Sequence, residues 1–358
     1  MPDFHTLTIS DVRQETADCT SIAFEVPDSL QDVFAFKQGQ YLTLETTIEG
    51  ERVRRSYSLC VSPLDGEHRV AIKQVPNGKF STYANNSIRI GDSIAVMPPT
   101  GKFFTNLSAN QSKSYVAFAA GSGITPILSI IKTTLQVEPQ STFQLFYSNK
   151  DVPSIIFKEE IEALKNKYLN RFVCHYFFSR QKIGAPLFAG RLTKSKLNQL
   201  CSSVLDVNAV DEFFICGPES MIFDLKEGLE KNNVDTKKIH FELFGTPATA
   251  NANKPIVTAN ANGKLTKIVM IDGGKNIEFD MPLGSSNILD TALAQGADLP
   301  YACKGGVCCT CKAKLQKGSV EMPVNYGLEP EEIDAGYILT CQAIPTSEEV
   351  LVNFDEAM

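Results

Sequence analysis

The sequence predicts a multidomain α+β protein in three parts, and three changes along the chain carry this prediction. Residues 1–107 consist of short β-type runs separated by Gly, Pro, Asp and Asn turns, which is typical of an antiparallel β-barrel or sandwich. Over residues 108–245, apolar strands alternate with helical stretches, the pattern of a parallel, doubly wound α/β sheet. Residues 246–263, rich in Ala, Asn, Thr and Pro, predict a linker to a separate small domain at 264–358.

The composition limits the class of protein. The 358 residues are 43% hydrophobic, enough for two or three packed domains, and their formal net charge is −7 without a long Lys/Arg block. Nucleic-acid binding depends on neutralising phosphates, so a protein or small-molecule partner is expected instead. The first residues lack the basic and apolar regions of a secretory signal, and no apolar run reaches the roughly 20 residues of a membrane helix. We therefore expect a cytoplasmic protein that does not bind a membrane.

Two motifs of the β-rich part form a first candidate site. In "RRSYS", strand alternation places Arg55 and Tyr57 on one face, a cation for a phosphate beside an aromatic ring. In "NGKFST", Gly78 provides a turn, and Ser81 and Thr82 open a predicted helix whose free amides suit an anion. Each motif also has an ordinary interpretation: an edge strand with a solvated arginine, and an N-capped helix.

A second candidate site lies at the carboxyl ends of the predicted parallel strands, where sheets of this kind bind ligands. In "GSGITP", Gly121 and Gly123 permit a tight turn against a pyrophosphate, although the third glycine of the Rossmann fingerprint is absent. A later strand ends at Cys216, followed by Gly217 and Pro218. Taken alone, Cys216 also fits a buried structural thiol.

Ser179 and Arg180 end a further strand at the same edge of the sheet. The 2′-phosphate of NADP calls for a fixed cation and a hydroxyl, whereas the free ribose of NAD favours a carboxylate. The pair therefore favours NADPH over NADH, with a solvated arginine after a strand as the ordinary alternative.

The segment "CKGGVCCTC" places Cys303, Cys308 and Cys311 close together, and Cys341 follows 30 residues later. A reducing compartment makes disulfides improbable, a paired zinc site would need a second close pair near Cys341, and a thioredoxin motif would lack the glycine-rich loop. The series C-x4-C-x2-C…C is the plant-type [2Fe–2S] spacing. We therefore predict these four cysteines as cluster ligands.

These motifs together resemble the ferredoxin–NADP reductase superfamily, with a plant-type ferredoxin joined at the C-terminus. The elements R-x-Y-S, G-x-x-S/T, P-x-G-x-F and G-x-G-I-T-P of that family match at residues 55–58, 78–82, 99–103 and 121–126. The resemblance implies a flavin-binding β-barrel, an NAD(P)-binding α/β domain and a C-terminal β-grasp ferredoxin domain. Cys309 falls where relatives carry a small residue, so it is expected not to be a ligand.

The resemblance also implies roles for individual residues. The catalytic candidates are Ser58 near the flavin N5, Cys216 beside the nicotinamide and Glu242 against the flavin. Arg55 would pair with the flavin phosphates and Tyr57 would pack on the isoalloxazine ring, with FAD favoured over FMN. The full set of implied cofactor-binding residues is Arg55, Tyr57, Ser58, Gly78, Ser81, Thr82, Gly121, Gly123, Thr125, Ser179, Arg180, Cys216, Gly217, Pro218 and Phe244.

The order of the three domains implies an electron path from NADPH through FAD and a [2Fe–2S] cluster to an external acceptor. A ferredoxin domain at the C-terminus resembles the reductases of oxygenases, above all the phenylacetyl-CoA epoxidase system of phenylacetate degradation, which implies a di-iron oxygenase as partner. Reductases of ketosteroid hydroxylases and of the hybrid-cluster protein share this order and remain alternatives. A non-enzymatic iron–sulfur redox sensor is the contrasting hypothesis.

Overall fold

A computed structural model describes residues 4–244 and 264–356, which form two compact units. The first unit is Phe4–Phe244, and the second contains the described residues from 264 onward. The predicted linker at 246–263 lies outside the described residues. The predicted boundary between residues 107 and 108 falls inside the first unit, and it stays a prediction.

Six antiparallel strands form the first sheet of this unit, in the order β4-β3-β6-β1-β2-β5. Their bounds are β1 His5–Thr16, β2 Cys19–Glu25, β3 Tyr41–Ile48, β4 Glu51–Ser58, β5 His68–Lys73 and β6 Ser93–Thr100. An isolated bridge between Leu59 and Val70 joins the two ends, so the sheet closes into the predicted barrel. Leu42, Leu44 and Ile72 fill its interior and are fully buried. One helix, α1 Lys79–Asn86, interrupts the barrel where the sequence predicted it.

The second sheet of this unit is parallel, in the order β11-β10-β7-β8-β9. Its strands are β7 Ser114–Ala120, β8 Thr142–Asn149, β9 Phe172–Phe178, β10 Glu212–Cys216 and β11 Ile239–Glu242, and the accompanying helices are α2 Ile124–Val137, α3 Lys158–Lys167, α4 Lys194–Cys201 and α5 Glu219–Lys231. The connections run outward from β7 in both directions, so β7 and β10 flank the switch point of the sheet. Their carboxyl ends define the crevice in which such sheets bind ligands.

Helix α2 fixes the parallel sheet against the barrel through polar contacts. The Ser129 hydroxyl donates to the Val61 carbonyl at 2.6 Å, and both groups are buried. The Thr133 hydroxyl lies 3.0 Å from that of Ser62, and the Lys132 ammonium lies 2.6 Å from the Asp65 carboxylate. Because buried polar groups are costly unless paired, these contacts favour one relative arrangement of the two sheets.

The second unit is built on a mixed five-stranded sheet, in the order β13-β12-β18-β14-β16, with a small β15-β17 pair. Its elements are β12 Leu265–Asp272, β13 Lys275–Pro282, α6 Ile288–Ala294, β14 Lys312–Lys317, β15 Val320–Glu321, α7 Pro330–Asp334, β16 Tyr337–Leu339, β17 Ile344–Pro345 and β18 Glu349–Asn353. Strands β12 and β18 pair in parallel at the centre. Ile268, Leu289 and Val352 are fully buried, so α6 packs on one face of the sheet as in a β-grasp domain.

Candidate functional sites

The ends of three strands bring the predicted catalytic residues together. The Ser58 hydroxyl, at the end of β4, donates to Glu242 Oε2, at the end of β11, at 3.1 Å. Cys216 ends β10 and is the register partner of Glu242 in the adjacent strand. One barrel strand and two strands of the parallel sheet therefore converge at the crevice.

Burial controls the protonation of this group of residues. It raises the pKa of Glu242 from its ordinary 4.5 to about 8, although the hydrogen bond from Ser58 acts in the opposite direction. Burial also raises the pKa of the Cys216 thiol, and the neighbouring Glu242 carboxyl adds to that increase. Near neutral pH the site therefore contains a protonated carboxyl and a neutral thiol.

Strand β4 and helix α1 place the other barrel candidates. Arg55 is exposed, and Tyr57 is partly buried with its ring centroid 5.5 Å from that of Phe80. A cavity of about 550 Å³ lies beside α1, and Gly78, Thr82 and Tyr83 are among its lining residues. A pocket of that size, open at the start of a helix, suits a phosphate-bearing ligand.

Ser81 is oriented differently from Thr82. Its hydroxyl donates to the Gly78 carbonyl and accepts from the Val75 amide, each at 3.2 Å, and its side chain is buried. The structure therefore places Thr82, and not the Ser81 hydroxyl, along the cavity. The sequence could not separate these neighbours, because both fall in the first turn of α1.

The turn after β7 is shaped by its glycines. Gly121 has a φ of +53°, in the left-handed region that favours glycine. Gly123 packs so closely that a Cβ there would collide with the Cys216 carbonyl. The Thr125 hydroxyl donates to the Ser122 carbonyl at 3.0 Å and holds the start of α2. This turn and the Cys216–Gly217 segment therefore meet at the switch point, on the carboxyl edge of the sheet.

Lys73 is a cation at this turn that the motifs did not indicate. Its ammonium group lies about 3.9 Å from the position that a Cβ on Gly121 would occupy, and 3.7 Å from Asp18 Oδ2. Lys73 belongs to β5 of the barrel, so no local spacing connects it with "GSGITP".

Ser179 and Arg180 lie just beyond β9, and both are exposed. The Ser179 amide donates to the Asn149 carbonyl at 3.0 Å, and the Arg180 amide donates to the Lys150 carbonyl at 2.9 Å. The end of β8 therefore sets the backbone of this pair. Phe244 follows β11 and is 46% exposed, leaving its ring available to cover a ligand.

In the second unit the four predicted ligands form two pairs. Backbone amides of Gly305 and Cys308 point at Cys303 Sγ, at 3.3 and 3.4 Å, and the Cys303 amide points at Cys308 Sγ at 3.4 Å. Cys311 and Cys341 are both buried, and the residue before Cys341, Thr340, donates its amide and its hydroxyl to the Cys311 carbonyl, so the second pair of cysteines also lies together. Among residues 4–244 and 264–356, no three His, Cys, Asp or Glu side chains converge as a site for a single metal ion. Two thiol pairs with amides directed at their sulfurs fit the four cysteine ligands of a [2Fe–2S] cluster.

The segment Val324–Leu328 closes over this loop. The Tyr326 amide donates to the Gly306 carbonyl at 2.9 Å, and Cys309 Sγ lies 2.7 Å from the Gly327 carbonyl. Cys309 has a φ of +55°, and its thiol donates to the Gly327 carbonyl rather than joining either thiol pair.

Three family models match the chain in the predicted order. They describe an oxidoreductase FAD-binding domain over residues 6–105, an oxidoreductase NAD-binding domain over 118–227 and a 2Fe-2S iron-sulfur cluster binding domain over 270–346. Together with the barrel, the switch-point crevice and the paired thiols, they define a pyridine-nucleotide-dependent flavoprotein oxidoreductase with its own [2Fe–2S] domain. Within the described residues, no helix is long and apolar enough to cross a membrane.

Full-length relatives narrow this class. A component of the 1,2-phenylacetyl-CoA epoxidase from Escherichia coli (strain K12) is 44% identical over 355 residues, which cover 99% of both chains. The ferredoxin reductase component of 3-ketosteroid-9-alpha-monooxygenase from Rhodococcus rhodochrous is 36% identical over 357 residues, or 97% of this chain and 96% of the relative. The chain belongs to this family of ferredoxin-containing reductase components of oxygenases.

Solved structures agree on the fold. Phthalate dioxygenase reductase matches with a TM-score of 0.59 and 22% identity over 98% of both chains. An intact type IV self-sufficient cytochrome P450 monooxygenase matches 98% of this chain and 41% of its own length, with a TM-score of 0.71 and 18% identity. The predicted fold class is thus confirmed, and the three family models with the full-length relatives confirm the predicted superfamily. The hypothesis of a non-enzymatic redox sensor is not supported, because the relatives are components of oxygenase systems.

Proposed function

We propose that this chain is the reductase component of a phenylacetyl-CoA epoxidase and passes electrons from NADPH, through FAD and a [2Fe–2S] cluster, to a di-iron oxygenase component. The observation that carries the proposal is the 44% identity to a component of that epoxidase over 99% of both chains. The ketosteroid relative is less similar, at 36% identity, so its oxygenase is the comparison acceptor in a test. A cytoplasmic location stays a prediction.

The convergence of Ser58, Cys216 and Glu242 supports their assignment to the contact between nicotinamide and flavin. When bound, FAD accepts the electron pair of a hydride and releases electrons singly, as a one-electron cluster requires. Ser58 holds the Glu242 carboxyl in place through its hydrogen bond. Because the pKa of Glu242 is about 8, this carboxyl keeps a proton near neutral pH and avoids a negative charge beside the flavin.

The barrel residues supply the flavin site in this proposal. Arg55 is an exposed cation outside the barrel interior, and Tyr57 presents a ring beside it on the same face of β4. The cavity lined by Gly78 and Thr82 at the start of α1 gives room for a second phosphate and its nucleotide. That additional room favours FAD over FMN.

For the nucleotide substrate, we assign the pyrophosphate to the turn Gly121–Gly123 and the 2′-phosphate of NADPH to Ser179 and Arg180. The exposed Arg180 guanidinium and Ser179 hydroxyl follow β9, which is two strands away from β7 and its glycine turn. This separation fits a nucleotide that binds in an extended conformation along the carboxyl edge of the sheet. NADH, without that phosphate, would gain nothing from Arg180.

The cluster assignment follows the thiol pairs. Cys303 with Cys308, and Cys311 with Cys341, would each hold one iron, and the amides that face Cys303 stabilise its thiolate form. Cys309 is excluded as a ligand in this proposal because its thiol faces the Gly327 carbonyl.

The test combines a spectroscopic titration with an acceptor assay. Anaerobic addition of NADPH or NADH should bleach the flavin and then produce the EPR signal of a reduced [2Fe–2S] cluster. The reduced protein should support turnover by the oxygenase component of a phenylacetyl-CoA epoxidase and not by that of a ketosteroid monooxygenase. Equal or greater turnover with the ketosteroid component would overturn the assignment of the acceptor.

A further inference from the structure

A tyrosine hydroxyl lies beneath the predicted pyrophosphate turn. Tyr147 belongs to β8, next to β7, and its register partner is Ala119. The side chain is fully buried, and its hydroxyl donates to the Gly121 carbonyl at 3.0 Å. Tyr147 therefore contacts the turn from the protein side, and no motif of the nucleotide site includes it.

The geometry of a peptide bond gives this contact a consequence. In a trans peptide the C=O and N–H groups lie in one plane and point in opposite directions. A Gly121 carbonyl held toward Tyr147 therefore directs the Ser122 N–H away from the protein interior. This N–H is also one of the first amides of the helical segment that begins at Gly121, where amides have no intrahelical acceptor. It is available to an anion at the carboxyl edge of the sheet.

The direction of the hydrogen bond follows from the partner. A carbonyl oxygen can only accept, so the Tyr147 hydroxyl donates its hydrogen to Gly121. Burial also holds the pKa of Tyr147 well above its ordinary value, so this donor stays protonated at all working pH values.

The strand that carries Tyr147 also reaches the other end of the nucleotide site. Asn149 is the last residue of β8, and Lys150 follows it. Their carbonyls accept the amide hydrogens of Ser179 and Arg180, at 3.0 and 2.9 Å. Tyr147 thus lies between the backbone that sets the pyrophosphate turn and the backbone that sets the Ser179–Arg180 pair.

We propose that Tyr147 is a positioning residue for the nicotinamide nucleotide: its hydroxyl orients the Gly121–Ser122 peptide so that the Ser122 N–H faces the pyrophosphate. This rests on the nucleotide site proposed above. The Ser122 amide contacts the ligand, and Tyr147 acts through it. Because the pyrophosphate is common to NADPH and NADH, Tyr147 supports both nucleotides equally.

The test is Tyr147→Phe in the full chain loaded with FAD and cluster. Calorimetric titration with NADP⁺ and with NAD⁺ should give Kd values raised about fivefold for both, the effect of losing roughly one net hydrogen bond. With ferricyanide as acceptor, KM for NADPH and for NADH should rise by the same factor while kcat stays within about twofold. The Gly121 carbonyl keeps its bond from the Ile124 amide, so the variant should fold and retain FAD.

Tyr115→Phe is the matched control. Tyr115 lies near the start of β7, the strand next to β8, and is as deeply buried as Tyr147. Its hydroxyl donates to Glu138 Oε2 at 2.9 Å. The turn follows the other end of β7, so this hydroxyl does not contact it. It should lower the unfolding temperature without changing nucleotide affinity. If Tyr147→Phe binds both nucleotides with the same Kd values as the wild-type protein, the positioning role is overturned, whether or not the unfolding temperature falls. Absence of nucleotide binding in the wild-type protein would instead overturn the proposed function.

Discussion

The hydroxyl of Ser58 and the carboxyl of Glu242, 184 residues apart in the sequence, are hydrogen-bonded at 3.1 Å. The bond joins the last residue of a barrel strand to the last residue of the edge strand of the parallel sheet. It therefore places a titratable group at the junction where the flavin and nicotinamide sites are proposed to meet.

The first prediction concerns the pH dependence set by Glu242. Its folded pKa of about 8 lies above the ordinary 4.5, so the folded protein binds this proton more tightly than the unfolded chain does. This contribution to stability is complete below pH 4.5 and is lost as the pH rises toward 8. Glu242→Gln should remove that decline, and chemical denaturation at several pH values would measure it.

The same substitution should change the chemistry. In the wild-type protein the rate of flavin reduction by NADPH should fall with a midpoint near pH 8, because the carboxyl loses its proton and becomes negative beside the flavin. Stopped-flow measurements on Glu242→Gln, whose side chain is neutral at every pH, should show a flat profile in that region, within about threefold of the wild-type rate at neutral pH. A midpoint that persists in the variant would assign the titration to another group.

The second prediction concerns the choice between nucleotides. Arg180→Ala should raise KM for NADPH about tenfold, because a charge-assisted contact to the 2′-phosphate is lost, and leave KM for NADH unchanged. Arg191→Ala, another exposed arginine in the same region of the chain, is the matched control and should change neither value. If the wild-type protein already prefers NADH, the role given to Ser179 and Arg180 is wrong.

The third prediction concerns flavin retention. Arg55→Ala should weaken FAD binding about tenfold or more, since a cation that pairs with a phosphate is removed. Arg52 lies on the same strand but, by alternation, on the other face, and its guanidinium is 3.6 Å from Glu45. Arg52→Ala should therefore retain FAD after gel filtration. Equal loss of FAD from both variants would show that the effect is structural.

The fourth prediction separates the adjacent thiols of the cluster loop. Cys311→Ser should abolish or strongly reduce the cluster, as judged by iron content and the EPR signal of the dithionite-reduced protein. Cys309→Ser should keep the wild-type iron content, because a serine hydroxyl can still donate to the Gly327 carbonyl. If Cys309→Ser loses iron while Cys311→Ser keeps it, the ligand assignment is overturned.

Much of the architecture could be predicted because local sequence patterns indicate it. Turn-separated β runs indicated the barrel, strand–helix alternation indicated the parallel sheet, and the spacing of Cys303, Cys308 and Cys311 indicated the cluster loop. Each of these signals depends on residues that are close in the chain. Ser81 shows the limit of such patterns, since its hydroxyl turns inward while Thr82, one residue later, lines the cavity.

The sequence by itself determined the three modules, their order and the residue types at each proposed site. The tertiary structure decided which distant residues lie together: Ser58 with Glu242, Lys73 with the turn at Gly121, and Tyr147 with the Gly121 carbonyl. The physical reason is that these contacts depend on strand order and register, and on the packing of the barrel against the parallel sheet. Such relationships arise from long-range burial and pairing, which no local spacing of residues specifies.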